Sequence, residues 1–246
     1  MFFPALITAL IVAIGVADEL TLQWQTTRAI VIGPLVGLVL GDVRTGLFIG
    51  ATVELMFLSN VIVGAAGIPD VTMASAIATA LVILGNVPTE LAITLAVPVA
   101  IFGQFMSTIR FSILGVPLSH LADPYASKGD AKGLLKVPLI GLLVILLLYF
   151  VPTFVAVYFG PDLVGALAEQ MPTKLLGGFR AGSGLLAAVG FAMLLSMLKT
   201  RKLVPFLFIG YVLAAFLKLS ILGVVILAVS IASLYILLDK KTEAEV

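Results

Sequence analysis

The sequence lacks the residues on which most enzymatic and metal sites depend. Among its 246 residues there is no cysteine and a single histidine, His120. Without cysteine there is no disulfide, no thiolate nucleophile and no cysteine-ligated metal. No Walker A loop, HExxH or GxSxG motif occurs. We therefore expect no catalytic residue, metal or cofactor in this chain, and any group transfer must come from another polypeptide.

Charged residues are also scarce. They make up 11% of the chain, against about 25% in soluble domains. Apolar residues reach 61%, and the mean hydropathy is +1.24. The net charge of +1 argues against nucleic acid as a partner. Such a chain cannot cover itself with polar surface, so the composition predicts a multi-pass protein of a cell membrane.

The apolar runs predict an all-α, polytopic integral membrane protein. We expect residues 2–17 to form the first membrane segment and not a signal peptide, because no basic region precedes them. The run 29–59 is interrupted by GDVRTG at 41–46, and the run 71–101 by GNVP at 85–88. Non-helical backbone at membrane depth survives only inside protein or around a polar cavity. These interruptions predict broken helices and re-entrant hairpins.

The remainder of the chain predicts simpler spans within one membrane-embedded domain, 1–246. LFIG recurs at 47–50 and 207–210, which suggests an internal inverted repeat. Basic clusters at 128–136, 199–202 and 240–241 favour the cytoplasmic face. The predicted segments are a polar loop at 118–136, a spanning helix at 137–160, a mixed loop at 161–177, a helix at 178–198, two short spans within 203–238 with Lys218 near their turn, and a cytoplasmic tail at 239–246.

Carboxylates and amides stand within or beside the apolar runs of the N-terminal half, often near glycines. An ionised group in hydrocarbon costs about 2.5–3.5 kcal/mol on insertion scales, so it is usually retained for a substrate, ion or partner. The candidate substrate-binding residues are Asp18, Glu19, Gln25, Glu54, Asn60, Asp70 and Gln104.

Each candidate also has a purely structural interpretation. The polar stretch from Asp18 to Arg28 fits a wet loop with an interfacial tryptophan, or a sugar site in which carboxylates and amides bind hydroxyl pairs and an aromatic ring stacks on the sugar. Glu54 could bind substrate, or it could hydrogen-bond Thr52 or Asn60. Asp70 could cap a helix beginning at Val71, whose free N–H groups would face ligand oxygens.

Several ordered blocks resemble one family. LVLGDVRTGLFIGATVELMFL at 38–58, followed by GAAGIPD at 64–70, is similar to the IIC subunit of the mannose-type phosphoenolpyruvate-dependent sugar phosphotransferase system (PTS). GGFRAGSGLLAAVGFAML at 177–194 and LVPFLFIGYVLAAF at 203–216 resemble the C-terminal motifs of that family. The resemblance covers roughly residues 5–238.

The resemblance implies partners and a mechanism. Family members pair with a IID membrane subunit as a trimer of heterodimers, and sugar crosses by an elevator-like movement. Cytoplasmic IIA and IIB proteins relay phosphate, and IIB phosphorylates the emerging sugar. The implied sugar contacts are Gln25, Glu54 and Asp70, together with Asp18, Glu19 and Gln104. Thr26-Thr27 and Asn60 depart from some members, so mannose, an amino sugar, a galactose derivative and sorbose all remain open.

Two other functions fit the same composition. An ion- or proton-coupled secondary transporter could use Glu54 and Asp70 as its coupling sites. A scaffold subunit could instead anchor a partner without contacting substrate. Dependence of uptake on phosphoenolpyruvate would separate the secondary transporter from the sugar-translocating subunit. Sugar affinity left unchanged by Glu54→Gln in the assembled complex would favour the scaffold.

Overall fold

The computed structural model describes residues 1–60, 68–198 and 204–243, and these residues contain helices and no strand. They divide into two compact units, Met1–Leu194 and Leu195–Val246. The helices are α1 (Phe2–Leu20), α2 (Ala29–Leu40), α3 (Val43–Met56), α4 (Val71–Gly85), α5 (Thr89–Thr108), a π-helical segment (Ile109–Leu114), α6 (Gly115–Ser127), α7 (Ala131–Glu169), α8 (Thr173–Leu198), α9 (Val204–Ala215) and α10 (Ile221–Glu243).

Helices α2 and α3 form a tight hairpin, which confirms the predicted interruption at 41–46. Gly41, with φ of 92°, ends α2 in the left-handed conformation that favours glycine. Asp42 caps α3 because its carboxylate accepts hydrogen bonds from the Thr45 amide at 3.0 Å and the Thr45 hydroxyl at 2.5 Å. Glycines then allow the two backbones to touch: a Cβ added to Gly46 would lie 2.9 Å from the Cα of Gly37.

Helices α4 and α5 form a second hairpin at the other predicted interruption. Asn86, with φ of 47°, ends α4, and Pro88 immediately precedes α5. The residues from Thr72 to Leu81 in α4 are all buried. Helix α4 packs against α2, α5 and α7, and α1 packs along α7. Helix α4 is therefore the central helix of this unit.

Within the described part of the chain, four helical stretches are long and apolar enough to cross a membrane: Phe2–Leu20, Thr89–Ser127, Ala131–Glu169 and Thr173–Met197. Large apolar side chains such as Leu143 on α7 and Leu185 on α8 are exposed, 60% and 65% respectively. Since water would not stabilise so much exposed apolar surface, lipid is the solvent of these faces. The structure confirms an all-α, multi-pass membrane protein.

Two loop predictions are wrong. The segment 118–136 is mostly helical, because α6 continues to Ser127 and α7 begins at Ala131. The segment 161–177 is helical except around residues 170–172. Helix α7 has 39 residues and is about 58 Å long, which exceeds a hydrocarbon core of about 30 Å. The part of a helix that extends beyond the hydrocarbon core can consist of polar residues. The polar residues in these two segments therefore did not mark the ends of helices.

The C-terminal unit agrees with the predicted pair of short helices. Helices α9 and α10 are joined by a turn in which Lys218 has φ of 49°. Helix α10 continues to Glu243, so the first residues of the predicted tail 239–246 are helical. The single domain 1–246, the internal repeat and the cytoplasmic placement of the basic clusters stay predictions.

Candidate functional site

Asp18 organises the loop between α1 and α2. Its buried carboxylate accepts hydrogen bonds from the Trp24 amide at 3.0 Å, the Thr26 amide at 3.1 Å and the Thr26 hydroxyl at 2.7 Å. Its carbonyl oxygen accepts from the Gln23 amide at 2.8 Å. Because both carboxylate oxygens accept from the loop, Asp18 fixes the shape of the segment that presents Gln25.

The loop held by Asp18 presents an exposed aromatic ring and two exposed amides. Trp24 is 74% exposed. Gln23 and Gln25 on either side have positive φ, 55° and 64°, and both side chains are exposed. A non-glycine residue in this conformation is uncommon and is often found at functional sites. The arrangement suits a polar, ring-shaped ligand that can both stack and accept hydrogen bonds.

Glu54, near the end of α3, lies against the start of α2. Its carboxylate forms an ion pair with Arg28 and accepts a weak hydrogen bond of 3.4 Å from the Ile30 amide. The Glu54 side chain is 12% exposed and that of Arg28 is 46% exposed. The alternative of a structural hydrogen bond from Glu54 to Thr52 or Asn60 is not what the structure shows. The Thr52 hydroxyl donates to the Phe48 carbonyl at 2.8 Å, and the Asn60 side-chain amide donates to the Pro69 carbonyl at 2.9 Å.

Asp70 is the N-cap of α4, which begins at Val71, as the sequence predicts. Its carboxylate accepts from the Met73 amide at 2.9 Å, and its own amide donates to the Ala100 carbonyl at 2.9 Å. Gly103 packs directly on the Asp70 side chain, and Gln104 follows it, half-buried on α5. Asp70 is thereby held between α4 and α5.

Asn60 makes a hydrogen bond to the backbone beside Asp70. Its side-chain amide donates to the Pro69 carbonyl at 2.9 Å. Between Asn60 and Asp70, residues 61–67 lie outside the described residues, and they include the GAAG of the GAAGIPD motif. The contact brings the end of α3 close to the start of α4.

A second ion pair has a buried cation. Arg110, 6% exposed, donates from a terminal guanidinium nitrogen to the Glu19 carboxylate at 2.9 Å. Tyr149 of α7 is fully buried and shares a 2.9 Å hydrogen bond with Ser107. Arg110 and Tyr149 were not candidates from the sequence, although a cation within an apolar run carries the same signal that marked Glu54.

Two hydroxyl groups join the loop to the central helix. Thr72, in the first turn of α4, donates to the Thr27 carbonyl at 3.0 Å. Ser75, one turn later, donates to the Ala29 carbonyl at 3.1 Å. The structure therefore brings the loop carrying Gln25, the start of α2 opposite Glu54, and the N-terminus of α4 capped by Asp70 into one neighbourhood.

Two apolar cavities lie away from these polar side chains. One, of about 400 Å³, lies between α9 and α10 and contacts Phe206 and Tyr235. The other, of about 520 Å³, lies between α5 and α7 and contacts Phe102 and Leu147. None of the candidate residues lines either cavity. Across the described residues, no cluster of three histidine or acidic side chains has a geometry suited to a metal ion.

The fold and these polar groups define a class: a helical, multi-pass membrane protein with hydrophilic side chains gathered at the start of its central helix. A family model described as the PTS sorbose-specific IIC component matches residues 2–234. The chain belongs to this family, the mannose-type IIC components of the sugar phosphotransferase system, and is a multi-pass protein of the bacterial cell membrane.

Characterised relatives span most of the chain. The sorbose-specific EIIC component of Lacticaseibacillus casei is 35% identical over 89% of this chain and 79% of its own length. The fructose permease IIC component of Bacillus subtilis is 36% identical over 90% and 81%. The mannose-specific EIIC component of Escherichia coli is 33% identical over 89% and 82%.

Solved structures share the fold. A structure described as a membrane protein superposes with a TM-score of 0.87 at 29% identity and covers 96% of each chain. A chain in the complex of the mannose transporter ManYZ with microcin E492 superposes with a TM-score of 0.62 at 29% identity, covering 96% of this chain and 95% of the other.

Proposed function

We propose that this chain is the translocation subunit of a sugar phosphotransferase permease, which binds a hexose or amino sugar and carries it across the membrane. Its relatives are named for sorbose, fructose, mannose and N-acetylgalactosamine. These ligands share a ring with several hydroxyl groups, for which carboxylates and amides are suitable hydrogen-bonding partners.

The observation that carries the proposal is the convergence of polar side chains around the N-terminus of α4. Gln25, Glu54 and Asp70 are the proposed sugar contacts, with Asp18, Glu19, Asn60 and Gln104 around them. In this arrangement Asp18 and Asn60 hold the backbone, while Gln25 offers an exposed amide. Glu54 offers a carboxylate whose charge Arg28 balances. An exposed Trp24 ring beside Gln25 supplies a surface for the apolar face of a sugar.

The proposed partners follow from the family. A IID membrane subunit would pair with this chain, in keeping with its similarity to a chain of the ManYZ complex, and three such heterodimers would form the permease. Cytoplasmic IIA and IIB proteins would relay phosphate, with IIB phosphorylating the sugar after an elevator-like movement. Exposed apolar side chains on α8, such as Leu185 and Phe191, are suited to contact lipid or a partner helix.

Sugar uptake by membrane vesicles tests the transport function. Vesicles containing this chain and its IID partner should accumulate a hexose only when phosphoenolpyruvate and the cytoplasmic phosphocarriers are supplied, and uptake should survive an uncoupler. Uptake that is indifferent to phosphoenolpyruvate and collapses with the uncoupler would instead establish an ion-coupled secondary transporter.

A matched pair of glutamines tests the sugar site. Gln25→Ala removes a proposed contact, and Gln23→Ala removes an equally exposed amide from the same loop. Because both residues have positive φ, each variant bears a similar backbone strain. We expect sugar affinity to fall about tenfold for Gln25→Ala, the loss of one hydrogen bond to a ligand hydroxyl, and to change little for Gln23→Ala. Equal effects would remove Gln25 from the site.

A further inference from the structure

Arg110 is the most deeply buried cation among the described residues, and its setting is unusual. It lies in the π-helical segment Ile109–Leu114 between α5 and α6. Such segments widen a helix locally and occur frequently at functional sites. The guanidinium carbon lies 4.3 Å from the centre of the Phe111 ring, which stabilises the cation on its own helix.

The carboxylate that pairs with Arg110 comes from another helix. Glu19 of α1 accepts its hydrogen bond at 2.9 Å. The Arg110 side chain is 6% exposed and that of Glu19 is 36% exposed. Breaking an ion pair whose cation is buried is unfavourable because it leaves an uncompensated charge, so the pair holds both side chains in place.

Arg110 also retains a hydrogen-bond donor. Its Nε is buried and has no acceptor among the residues that the structure describes. A buried donor without an acceptor is unfavourable and is rare in proteins. Glu19 is therefore the acceptor that holds this guanidinium in place.

We propose that Arg110 is a positioning residue of the substrate site, holding the Glu19 carboxylate in place. A carboxylate oxygen fixed in this way is a preformed acceptor for a ligand hydroxyl group. This inference rests on the proposed sugar-binding function and adds to it a residue that acts through the carboxylate of Glu19.

The test uses the assembled complex of this chain with its IID partner, purified in detergent. Equilibrium binding of radiolabelled mannose, fructose, sorbose and N-acetylgalactosamine first identifies the sugar that the wild-type complex binds. Affinity for that sugar is then measured for Arg110→Gln, Arg110→Lys, Glu19→Gln and the Glu19→Gln/Arg110→Gln double variant. Arg44→Gln, which removes an exposed arginine from the first turn of α3, is the matched control.

We expect Arg110→Gln to weaken sugar binding about tenfold or more, as for removal of one partner of a buried charge pair. Arg110→Lys should recover part of that loss, because it keeps the charge but lacks the planar guanidinium. The double variant should bind about as weakly as Arg110→Gln alone, since both changes remove the same interaction. Arg44→Gln should bind as the wild type does.

The possible failures are distinguishable. If the wild-type complex binds sugar and Arg110→Gln binds it equally well, the role of Arg110 is refuted while the proposed function stands. The role of Arg110 is also refuted if the losses of binding free energy in Glu19→Gln and Arg110→Gln add up exactly in the double variant. If Arg110→Gln does not assemble, Arg110→Lys takes its place in this double-mutant cycle. If the wild-type complex binds none of the four sugars, the proposed function fails and this inference with it.

Discussion

The contact between α2 and α3 predicts a specific response to one added methyl group. Gly33 and Gly37 of α2 face Gly46 and Gly50 of α3 with their backbones in contact. In Gly46→Ala the new Cβ would lie 2.9 Å from the Gly37 Cα and 3.0 Å from the Gly33 carbonyl carbon. Carbon atoms normally approach to about 3.5–4.0 Å, so the helices must separate by about 0.5–1 Å.

The magnitude follows from two opposing terms. Overpacking a close contact costs about 1–3 kcal/mol, and the upper part of that range applies because backbone atoms cannot rotate away. Replacing glycine by alanine within a helix stabilises the helix by about 0.8–1 kcal/mol. We therefore expect Gly46→Ala to lower the free energy of unfolding by about 1–2 kcal/mol.

The assay is reversible unfolding of the chain purified in detergent, with Gly182→Ala as the matched control. An added Cβ at Gly182 of α8 would meet no atom of the described residues within 4 Å. Its helix should therefore gain about 0.5–1 kcal/mol. The same chemical change should shift the two midpoints in opposite directions. A Gly46→Ala midpoint at or above that of the wild type would refute the close-contact argument.

Substitutions at three further positions separate structural from ligand-binding roles. Asp70→Asn keeps a capping oxygen, so thermal stability should hold while sugar affinity falls, whereas Asp70→Ala should also lose about 1 kcal/mol of stability. Asp18→Asn removes one of two accepting oxygens, which should cost about 1–3 kcal/mol and expose the loop at Trp24 to limited proteolysis. Glu54→Gln abolishes the ion pair with Arg28, so sugar affinity should fall about tenfold, as for loss of a charged acceptor, while stability changes by less than about 1 kcal/mol because Arg28 is half-exposed.

Each of these expectations has a contrary result. Equal sugar affinity in Asp70→Asn and the wild type would make Asp70 a cap alone. Unchanged cleavage of Asp18→Asn would show that other contacts fix the loop. If sugar affinity survives Glu54→Gln in the assembled complex, the scaffold hypothesis gains and the place of Glu54 in the site is lost.

Local signals in the sequence predicted part of the fold correctly. The interruptions predicted at 41–46 and 85–88 are the places where one helix ends and the next begins. Asp70 was placed correctly as a cap. Polarity failed at 118–136 and 161–177, because a helix outside the hydrocarbon core can be polar without ending.

The sequence by itself determined the class of this protein, its broken N-terminal helices and its resemblance to a family. These features depend on apolar content and on glycine, proline and capping residues, whose effects act within a few neighbouring residues. Only the tertiary structure decided which charges meet. Arg110 forms an ion pair with Glu19, 91 residues away in the sequence, and Arg28 forms an ion pair with Glu54. Such partners are selected by the packing of whole helices, which no local pattern records.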